Sequence, residues 1–384
     1  MSYLVEFVGH SKYLFFALVS RGWRNVWGQR PTVTKAPMAD TSTSQLAYSI
    51  ECGLGWRIPV CNAVAKLGRL DLLQCALRTG CPWEGNVCSS AASGGHLGVL
   101  QWARANGCPW DESTCAFAAR NGHFEIVQWA AKHECFWDTS TCSGAARGGH
   151  LNILQWARAN ECPWSPDTCA KAARGGHLQV LEWARENGCP WTSGTCGEAA
   201  AGGHLDCLQW GRAHGCPWSE LTCPGAALGG HLDVLQWARA NGCPWDTCSA
   251  TCYCAAKGGQ LSVLQYARAN DFPWDMCTCS AAAEEGHLGI LQWLRAKGCP
   301  WDDHTCTVAA KGGHMNVLQW ARANGCPWDE ETTCYEAALN GNMHVLQWAR
   351  ANGCHWDQNT CSGAAEGGHL VRMFRVSVSL PWYE

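Results

Sequence analysis

The chain has 384 residues, with 28 Lys or Arg against 32 Asp or Glu, giving a net charge of −4. This balance excludes a strongly basic protein, so we expect no nucleic-acid partner. Glycine, cysteine and tryptophan are abundant, with 42, 28 and 24 copies, while only 16% of the residues are charged. A composition that favours few residue types, without the features of disorder, indicates internal repeats.

The first notable segment is an apolar run from Tyr13 to Ser20, between Lys12 and Arg21. It is far shorter than the roughly 20 residues that cross a bilayer, and it lacks the small-residue cleavage site of a secretory signal. We therefore predict that residues 1–50 are a helical segment. We expect the protein to be cytoplasmic or nuclear, neither secreted nor bound to a membrane.

Residues Tyr13 to Trp27 resemble the second half of an F-box, an apolar helix followed by Val-Ser-x-x-Trp. The resemblance implies that Leu18, Val19 and Trp23 dock on a Skp1-type adaptor, so that the chain recruits a substrate for ubiquitination. The opening Leu-Pro half of the motif is absent. An amphipathic helix that caps a repeat array explains the same apolar spacing, so both interpretations stay open.

From residue 51 to 368 the chain is a tandem array with a period of 27 residues, formed by a half repeat and eleven complete repeats. A Gly-His pair marks the period, and insertions within 247–254 and 330–333 lengthen two steps to 29 and 28 residues. Gln260 and Asn342 replace the histidine in two repeats. Because an amide can replace its hydrogen bonds but not its acid–base chemistry, we expect a structural hydrogen-bonding role for the histidine.

Each repeat is predicted to contain two helices joined by a tight turn. Residues 97–105 are apolar at the spacing of one helical face, and Gly107 followed by Pro109 ends this longer helix. Asp111 then begins a shorter helix that ends at Gly122. The equivalent N-cap residues are Asp138, Ser165, Thr192, Ser219, Asp246, Asp275, Asp302, Asp329 and Asp357.

A single repeat of 27 residues cannot bury its apolar face, so the repeats are predicted to stack into an all-α solenoid of helical hairpins. Small residues such as Cys115, Ala118 and Ala119 allow the shorter helices to approach closely. We expect the shorter helices to line a concave face. Arginines of the longer helix, such as Arg104, are predicted to lie on a solvated face near the N-cap acids, and the tryptophans to serve in packing.

Residues Thr114 to Ala119, Gly122-His123 and Gly107-Cys108 match places in the ankyrin repeat, whose unit of about 33 residues carries T-P-L-H-x-A-A and Gly-His. Between about residues 55 and 370 the chain therefore resembles a short, tryptophan- and cysteine-rich ankyrin array. The resemblance implies a protein-binding scaffold without enzymatic activity. The intact T-P-L-H tetrapeptide is absent and each repeat lacks the projecting hairpin of an ankyrin unit, so blunt loops are expected.

Each repeat also offers two cysteines and a histidine, for example Cys108, Cys115 and His123. Their spacing matches no zinc-finger pattern, and both cysteines stand where a small apolar residue packs, which favours buried thiols over a metal site. Equivalent cysteines of neighbouring repeats should lie about 8–10 Å apart, too far for a disulfide. A metal-binding array is a third hypothesis. We predict no catalytic residue and no cofactor.

Positions that vary between repeats are candidates for binding a partner, because constant positions serve the scaffold. This variation lies three and six residues before the histidine, on the shorter helix. The candidate contacts are Phe117, Arg120, Arg147, Lys171, Arg174, Glu198, Leu228, Lys257 and Lys311. The basic members from Arg120 to Arg174 favour an acidic peptide or protein partner bound by a monomer, whereas a solvated face without a partner explains the same charges. Residues 369–384 are predicted to be a divergent tail.

Overall fold

The structure is a computed structural model that describes residues 58–78, 86–244, 249–354, 357–371 and 373. Within these ranges the secondary structure consists of α-helices joined by turns, with no strand. This confirms the prediction of an all-α solenoid of helical hairpins. The N-terminal segment with Leu18, Val19 and Trp23 lies outside the described residues, as does the tail beyond residue 373.

The chain divides into two units, Met1–Trp191 and Thr192–Glu384. The helices of the first unit are α1 (Ile58–Lys66), α2 (Leu70–Arg78), α3 (Asn86–Ser93), α4 (Leu97–Ala105), α5 (Glu112–Arg120), α6 (Phe124–Lys132), α7 (Thr139–Gly148), α8 (Leu151–Ala159), α9 (Pro166–Gly175) and α10 (Leu178–Glu186). Those of the second unit are α11 (Ser193–Gly202), α12 (Leu205–Ala213), α13 (Thr222–Gly229), α14 (Leu232–Ala240), α15 (Ala250–Lys257), α16 (Leu261–Ala269), α17 (Met276–Glu284), α18 (Leu288–Ala296), α19 (Asp303–Gly312), α20 (Met315–Ala323), α21 (Glu330–Leu339), α22 (Met343–Ala351) and α23 (Gln358–Glu366).

Odd-numbered helices are the first helix of a hairpin, and even-numbered helices are the second. The predicted difference in length is wrong: first helices have 8 to 10 residues and second helices have 9. The two helices differ instead in side-chain size. First helices bury Cys and Ala, whereas second helices bury Val, Ile and Leu, as in Ile153 and Leu154 of α8.

Most of the predicted N-cap residues begin a first helix. The carboxylate of Asp138 accepts a hydrogen bond from the backbone N–H of Ser140 at 2.8 Å. The same position is held by Asp111, Ser165, Thr192, Asp275, Asp302, Asp329 and Asp357. The hydroxyl of Ser219 accepts a hydrogen bond from the backbone N–H of Leu221 at 3.1 Å, as an N-cap does, but the α-helix α13 begins only at Thr222. Pro224 has no N–H to donate, so it is accommodated only in the first turn of the helix. Asp246 lies outside the described residues.

Within each unit, successive first helices pack side by side, and each second helix packs on the first helix of its own hairpin. The approach of first helices is close because the facing residues are small. In α7, Ala145 and Ala146 are fully buried. A Cβ on Gly148 would overlap the carbonyl oxygen of Arg120 in α5. The prediction that small residues permit this approach is therefore confirmed.

The turn after each second helix requires a left-handed residue, and three hairpins lack glycine there. Glu134, Glu161 and Asp271 have φ of 60°, 64° and 57°. We expect Glu161→Gly to raise the free energy of unfolding by about 0.5–1 kcal/mol, because glycine adopts this conformation without steric strain. Urea unfolding measures the change. Asn160→Gly is the matched control, because Asn160 has φ of −105°; an equal gain there would show that positive φ is not the cause.

Candidate binding surface

All nine predicted contact residues lie on first helices. Phe117 and Arg120 are on α5, Arg147 on α7, Lys171 and Arg174 on α9, Glu198 on α11, Leu228 on α13, Lys257 on α15 and Lys311 on α19. In the first unit, α5 packs on α7 and α7 packs on α9, so five of the nine share one surface. We call these five the first-helix face. That a partner binds there stays a prediction.

The charges of α5, α7 and α9 are segregated along the helix axes. Arg120, Arg147 and Arg174 lie in the last turns, whereas Glu112 and Asp167 lie in the first turns. Basic side chains in a last turn also interact favourably with the helix dipole, and this accounts for some of the pattern without a partner. Neither Arg120 nor Arg147 forms an ion pair among the residues that the structure describes.

An exposed aromatic ring lies on the same surface. Phe117 is 41% exposed on α5, one turn before the exposed Arg120. At the equivalent position of α7 stands Gly144, where a Cβ would lie only 2.6 Å from the carbonyl oxygen of Ala116 in α5. The glycine there is therefore explained by the close approach of the two helices.

The second unit has a different charge pattern on its first helices. Lys257 of α15 forms ion pairs with Glu284 at 3.1 Å and Glu285 at 3.7 Å. The hydrogen bond to Glu284 raises the pKa of Lys257 above its ordinary value. Leu228 is 46% exposed on α13. Basic charge in this unit is thus partly neutralised by the neighbouring first helix.

Within each unit, histidines of the Gly-His pair join a hairpin to the preceding one. Nε2 of His177 donates to the carbonyl of Arg147 at 3.1 Å. The same bond is made by His96 to Lys66, His123 to Ser93, and His287 to Lys257. These carbonyls belong to the end of the preceding first helix, where no helical N–H remains to pair with them. This agrees with the predicted structural role.

The two amide replacements differ in how well they imitate histidine. Nδ2 of Asn342 donates to the carbonyls of Ala310 and Lys311, at 2.9 and 2.7 Å, in the preceding first helix. Nε2 of Gln260 donates instead to Gly258 in its own turn, at 2.8 Å. The shorter amide therefore preserves the hydrogen bond between hairpins, whereas the longer one keeps only the contact with the glycine of the preceding hairpin, Gly230.

His150 makes the stability of the protein dependent on pH. Burial lowers the pKa of His150, and the nearby His177 and His123 lower it further. Because an unfolded histidine has a pKa of about 6.5, the unfolded chain takes up this proton first as the pH falls. We expect stability to be constant above about pH 7.5 and to fall below about pH 6.5.

Urea unfolding at pH 7.5 and 5.5 measures this dependence. His150→Asn is the matched variant, because Asn342 shows that asparagine makes the bond between hairpins and asparagine does not titrate. We expect a smaller loss of stability in this variant. If the variant lost as much stability between pH 7.5 and 5.5 as the unmodified protein, His150 would be excluded as the cause of the pH dependence.

The arginines of the second helices do not lie on a solvated face beside the N-cap acids, so that prediction is wrong. Nη1 of Arg158 donates to the carbonyl of Cys162 at 2.5 Å, and its guanidinium lies 4.2 Å from the ring centroid of Trp164. The same Arg–Trp contact joins Arg104 to Trp110, Arg185 to Trp191, Arg212 to Trp218, Arg268 to Trp274, Arg295 to Trp301 and Arg322 to Trp328. In the sequence, the constant separation of six residues between the arginine and the tryptophan was the signal for this contact.

The tryptophans are half-buried and contact each other between hairpins. Trp137 lies edge-on to Trp156 of the next hairpin, with 5.7 Å between ring centroids. Equivalent contacts join Trp110 to Trp129, Trp164 to Trp183, Trp274 to Trp293, Trp301 to Trp320 and Trp328 to Trp348. These rings are therefore used in packing, as predicted.

Cysteines 20 residues apart in the same hairpin face each other, an arrangement that the sequence analysis missed. Sγ of Cys223 lies 3.5 Å from Sγ of Cys243. Cys334 and Cys354 are joined as a disulfide, with 7.0 Å between their Cα atoms. The described cysteines of these pairs are buried, as predicted, and the constant interval of 20 residues was the signal for the pairing. Among the described residues no group of three or more His, Cys, Asp or Glu could hold a metal ion.

These features define a helical-repeat solenoid. No family model matches the chain, and no curated protein does. The ankyrin repeat domain of human ASB11 is 16% identical over 49% of this chain and 99% of its own, with a TM-score of 0.38. The pentatricopeptide repeat protein PPR10 from maize is 15% identical over 88% of this chain and 60% of its own, with a TM-score of 0.32. A structure of PPR10 with an 18-nt psaJ RNA element is 14% identical, covers 98% of this chain and 73% of that chain, and has a TM-score of 0.28.

The comparison corrects one expectation. We predicted no nucleic-acid partner from the net charge, and that exclusion is wrong, because a repeat protein bound to RNA is among the similar structures. Net charge is a sum over the whole chain and does not describe local clusters such as the arginines of α5, α7 and α9. None of the helices in the described part of the chain has the length and apolar character that a bilayer requires.

Proposed function

We propose that the chain is a non-enzymatic scaffold whose first-helix face binds an acidic protein segment. The charge segregation on α5, α7 and α9 carries this proposal, since three arginines lie at one end of three helices that pack side by side. The residues that recur in every repeat serve capping, turns and packing. This supports a binding role for the variable positions rather than an enzymatic role for the constant ones.

The chemistry of the face favours a segment with carboxylates and one apolar side chain. Guanidinium groups bind carboxylates through paired, charge-assisted hydrogen bonds. Phe117 offers an exposed ring beside Arg120 for an apolar anchor. Because the arginines are partly solvated, each contact is expected to be weak, and affinity should decrease as salt increases.

The test uses a fluorescein-labelled, glutamate-rich peptide that carries one leucine, bound to the full chain and measured by fluorescence anisotropy. The variant combines Arg120→Glu, Arg147→Glu and Arg174→Glu. We expect its affinity to be weaker by about tenfold or more. The matched control combines Arg78→Glu, Lys132→Glu and Lys297→Glu, which changes net charge equally at exposed ends of second helices.

The outcomes are distinguishable. An affinity lost only in the first-helix variant supports the proposal. Equal losses of affinity in both variants would show that peptide binding depends on net charge alone, and the proposal would fail. A single-stranded RNA probe that binds more tightly than the peptide, and loses affinity in the first-helix variant, would assign the face to RNA instead.

The second candidate function is a substrate-recruiting subunit of a ubiquitin ligase. It rests on the F-box-like pattern of residues 13–27, which lie outside the described residues. Co-purification of the full chain with a Skp1-type adaptor, lost on Trp23→Ala, would support it. Absence of the adaptor from a pull-down with the unmodified chain would exclude it.

A further inference from the structure

The strongest feature outside the first-helix face is the set of cysteine pairs inside the hairpins. In each pair one thiol belongs to the first helix and the other follows the second helix, in the Cys-Pro-Trp turn or its equivalent. The described pairs are Cys88–Cys108, Cys115–Cys135, Cys142–Cys162, Cys169–Cys189, Cys196–Cys216, Cys223–Cys243, Cys279–Cys299, Cys306–Cys326 and Cys334–Cys354.

We propose that these pairs are oxidation sites, at which each hairpin forms a reversible disulfide between its first helix and the turn after its second helix. Sγ of Cys223 lies 3.5 Å from Sγ of Cys243. One pair, Cys334 with Cys354, is joined as a disulfide. In other hairpins the Sγ of the helical cysteine lies 3.9–4.0 Å from the backbone carbonyl oxygen of the turn cysteine, as for Cys142 and Cys162, so the same two residues are neighbours there too.

Packing alone explains a small apolar side chain at each position but does not require two facing thiols. Around Cys115 and Cys135 the neighbours are apolar, with Ala130 buried beside them and three half-buried tryptophans packed against the cluster. The thiol of Cys135 also donates to the backbone carbonyl of Asp111 at 3.4 Å, which accounts for a cysteine in the turn but not for the second thiol that faces it. The pairing itself, repeated at the same interval in nine described hairpins, is therefore the observation that needs a chemical explanation.

The two thiols of the Cys115–Cys135 pair differ in acidity, which decides which of them attacks first. A hydrogen bond from Cys115 lowers the pKa of Cys135, while burial opposes this effect. The contact with Cys135 and burial raise the pKa of Cys115. In this pair the turn cysteine is thus the first nucleophile and Cys115 stays protonated. In the Cys306–Cys326 pair the order is reversed, because the contact with Cys326 lowers the pKa of Cys306 and the contact with Cys306 raises the pKa of Cys326. The turn is exposed on both sides of Cys135, at Glu134 and Phe136, so local opening admits an oxidant.

The oxidant is a small disulfide, such as glutathione disulfide. The thiolate of the more acidic cysteine of a pair attacks one of its sulfurs, which forms a mixed disulfide and releases one thiolate. The second cysteine of the pair then loses its proton and attacks the sulfur of the first, which releases the second thiolate. Two protein thiols are oxidised by two electrons to one disulfide, and the small disulfide is reduced to two thiols.

The experiment uses the full chain, reduced with dithiothreitol, transferred to anaerobic buffer and incubated with glutathione disulfide. Remaining thiols are blocked with N-ethylmaleimide in denaturant, and proteolytic fragments are identified by mass spectrometry. We expect linked peptides that join cysteines 20 residues apart, with a loss of about 2 Da for each pair. Addition of dithiothreitol should restore the thiols. The proposal would be overturned if the linked peptides came mainly from different hairpins. It would also be overturned if all thiols remained reduced and reacted with N-ethylmaleimide.

A gain-of-function variant sharpens the test without disturbing any pair. In the α15–α16 hairpin the buried Phe272 stands where other hairpins carry the second cysteine, opposite Cys252. Phe272→Cys restores the pattern of the other hairpins, so we expect a new linked peptide that joins position 272 to Cys252. A folded variant, judged by its circular dichroism, in which position 272 reacts only with N-ethylmaleimide would contradict the proposal.

Loss of one thiol provides the complementary variant. Cys135→Ala should abolish the link at Cys115 and leave the Cys142–Cys162 link in the next hairpin intact. That neighbouring link also reports whether the variant has folded. If Cys115 then formed a disulfide with another cysteine to the same extent, oxidation would not be confined to the pairs, and the proposal would fail.

Discussion

Replacing Gly149 with alanine is expected to lower the free energy of unfolding by about 2–4 kcal/mol. Gly149 follows α7 with φ of 77°, in the left-handed region. A Cβ there would lie 2.5 Å from Nδ1 of His177, whose ring occupies the space above the glycine. The alanine therefore adopts a strained backbone and also displaces the histidine that joins two hairpins. Urea unfolding, followed by circular dichroism, measures the loss.

The chain offers a control that separates these two effects. Gly107 has φ of 80°, and no atom lies within 4 Å of a Cβ built there. Gly107→Ala should therefore cost only the backbone strain, about 1 kcal/mol. In a double-mutant cycle, His177→Ala should recover the part of the Gly149→Ala loss that arises from overlap. Equal losses at Gly107 and Gly149, with no coupling to His177, would contradict this account.

Arg158→Ala is expected to lower the free energy of unfolding by about 2–3 kcal/mol, because it removes two contacts at once. The guanidinium donates to the carbonyl of Cys162 and lies over the ring of Trp164. That carbonyl lies in the turn that closes the hairpin. Its loss should be visible as faster hydrogen exchange of the turn amides as well as in urea unfolding.

Two control variants separate this contact from a general effect of substitution. Gln155 is exposed on the same helix, so Gln155→Ala should change stability by less than about 0.5 kcal/mol. Arg158→Lys keeps the positive charge but loses the planar group that lies flat on the indole ring. We expect an intermediate loss for lysine. If lysine were equivalent to arginine, charge alone would account for the contact.

Much of the fold could be predicted because its determinants are local. The apolar spacing of residues 97–105 and the N-cap at Asp138 each act within a few residues, and the structure shows both. The departure at Ser219 is also local: Pro224 has no N–H, and α13 begins only at Thr222, although Ser219 still accepts from the N–H of Leu221. The predicted difference in length between the two helices is not observed.

The contacts between distant residues were harder to predict. The Arg158–Trp164 stack and the Cys223–Cys243 pair depend on how a turn folds back on its own hairpin. Equivalent cysteines of neighbouring repeats are related by the sequence period, whereas the two cysteines of one hairpin become neighbours only when the turn folds back. The candidate face was located on the first helices from variation alone, while its partner stays a prediction.

Periodicity settles the kind of secondary structure, the number of repeats and the residues that end each helix, since these follow from propensities and caps that act over a few residues. Folding settles which groups meet: the histidine ring above the glycine of the preceding hairpin, the guanidinium on the indole, and the two thiols. Such contacts join residues between 6 and 30 positions apart in the chain. They depend on the three-dimensional path of the backbone, which a linear pattern of residue types does not contain.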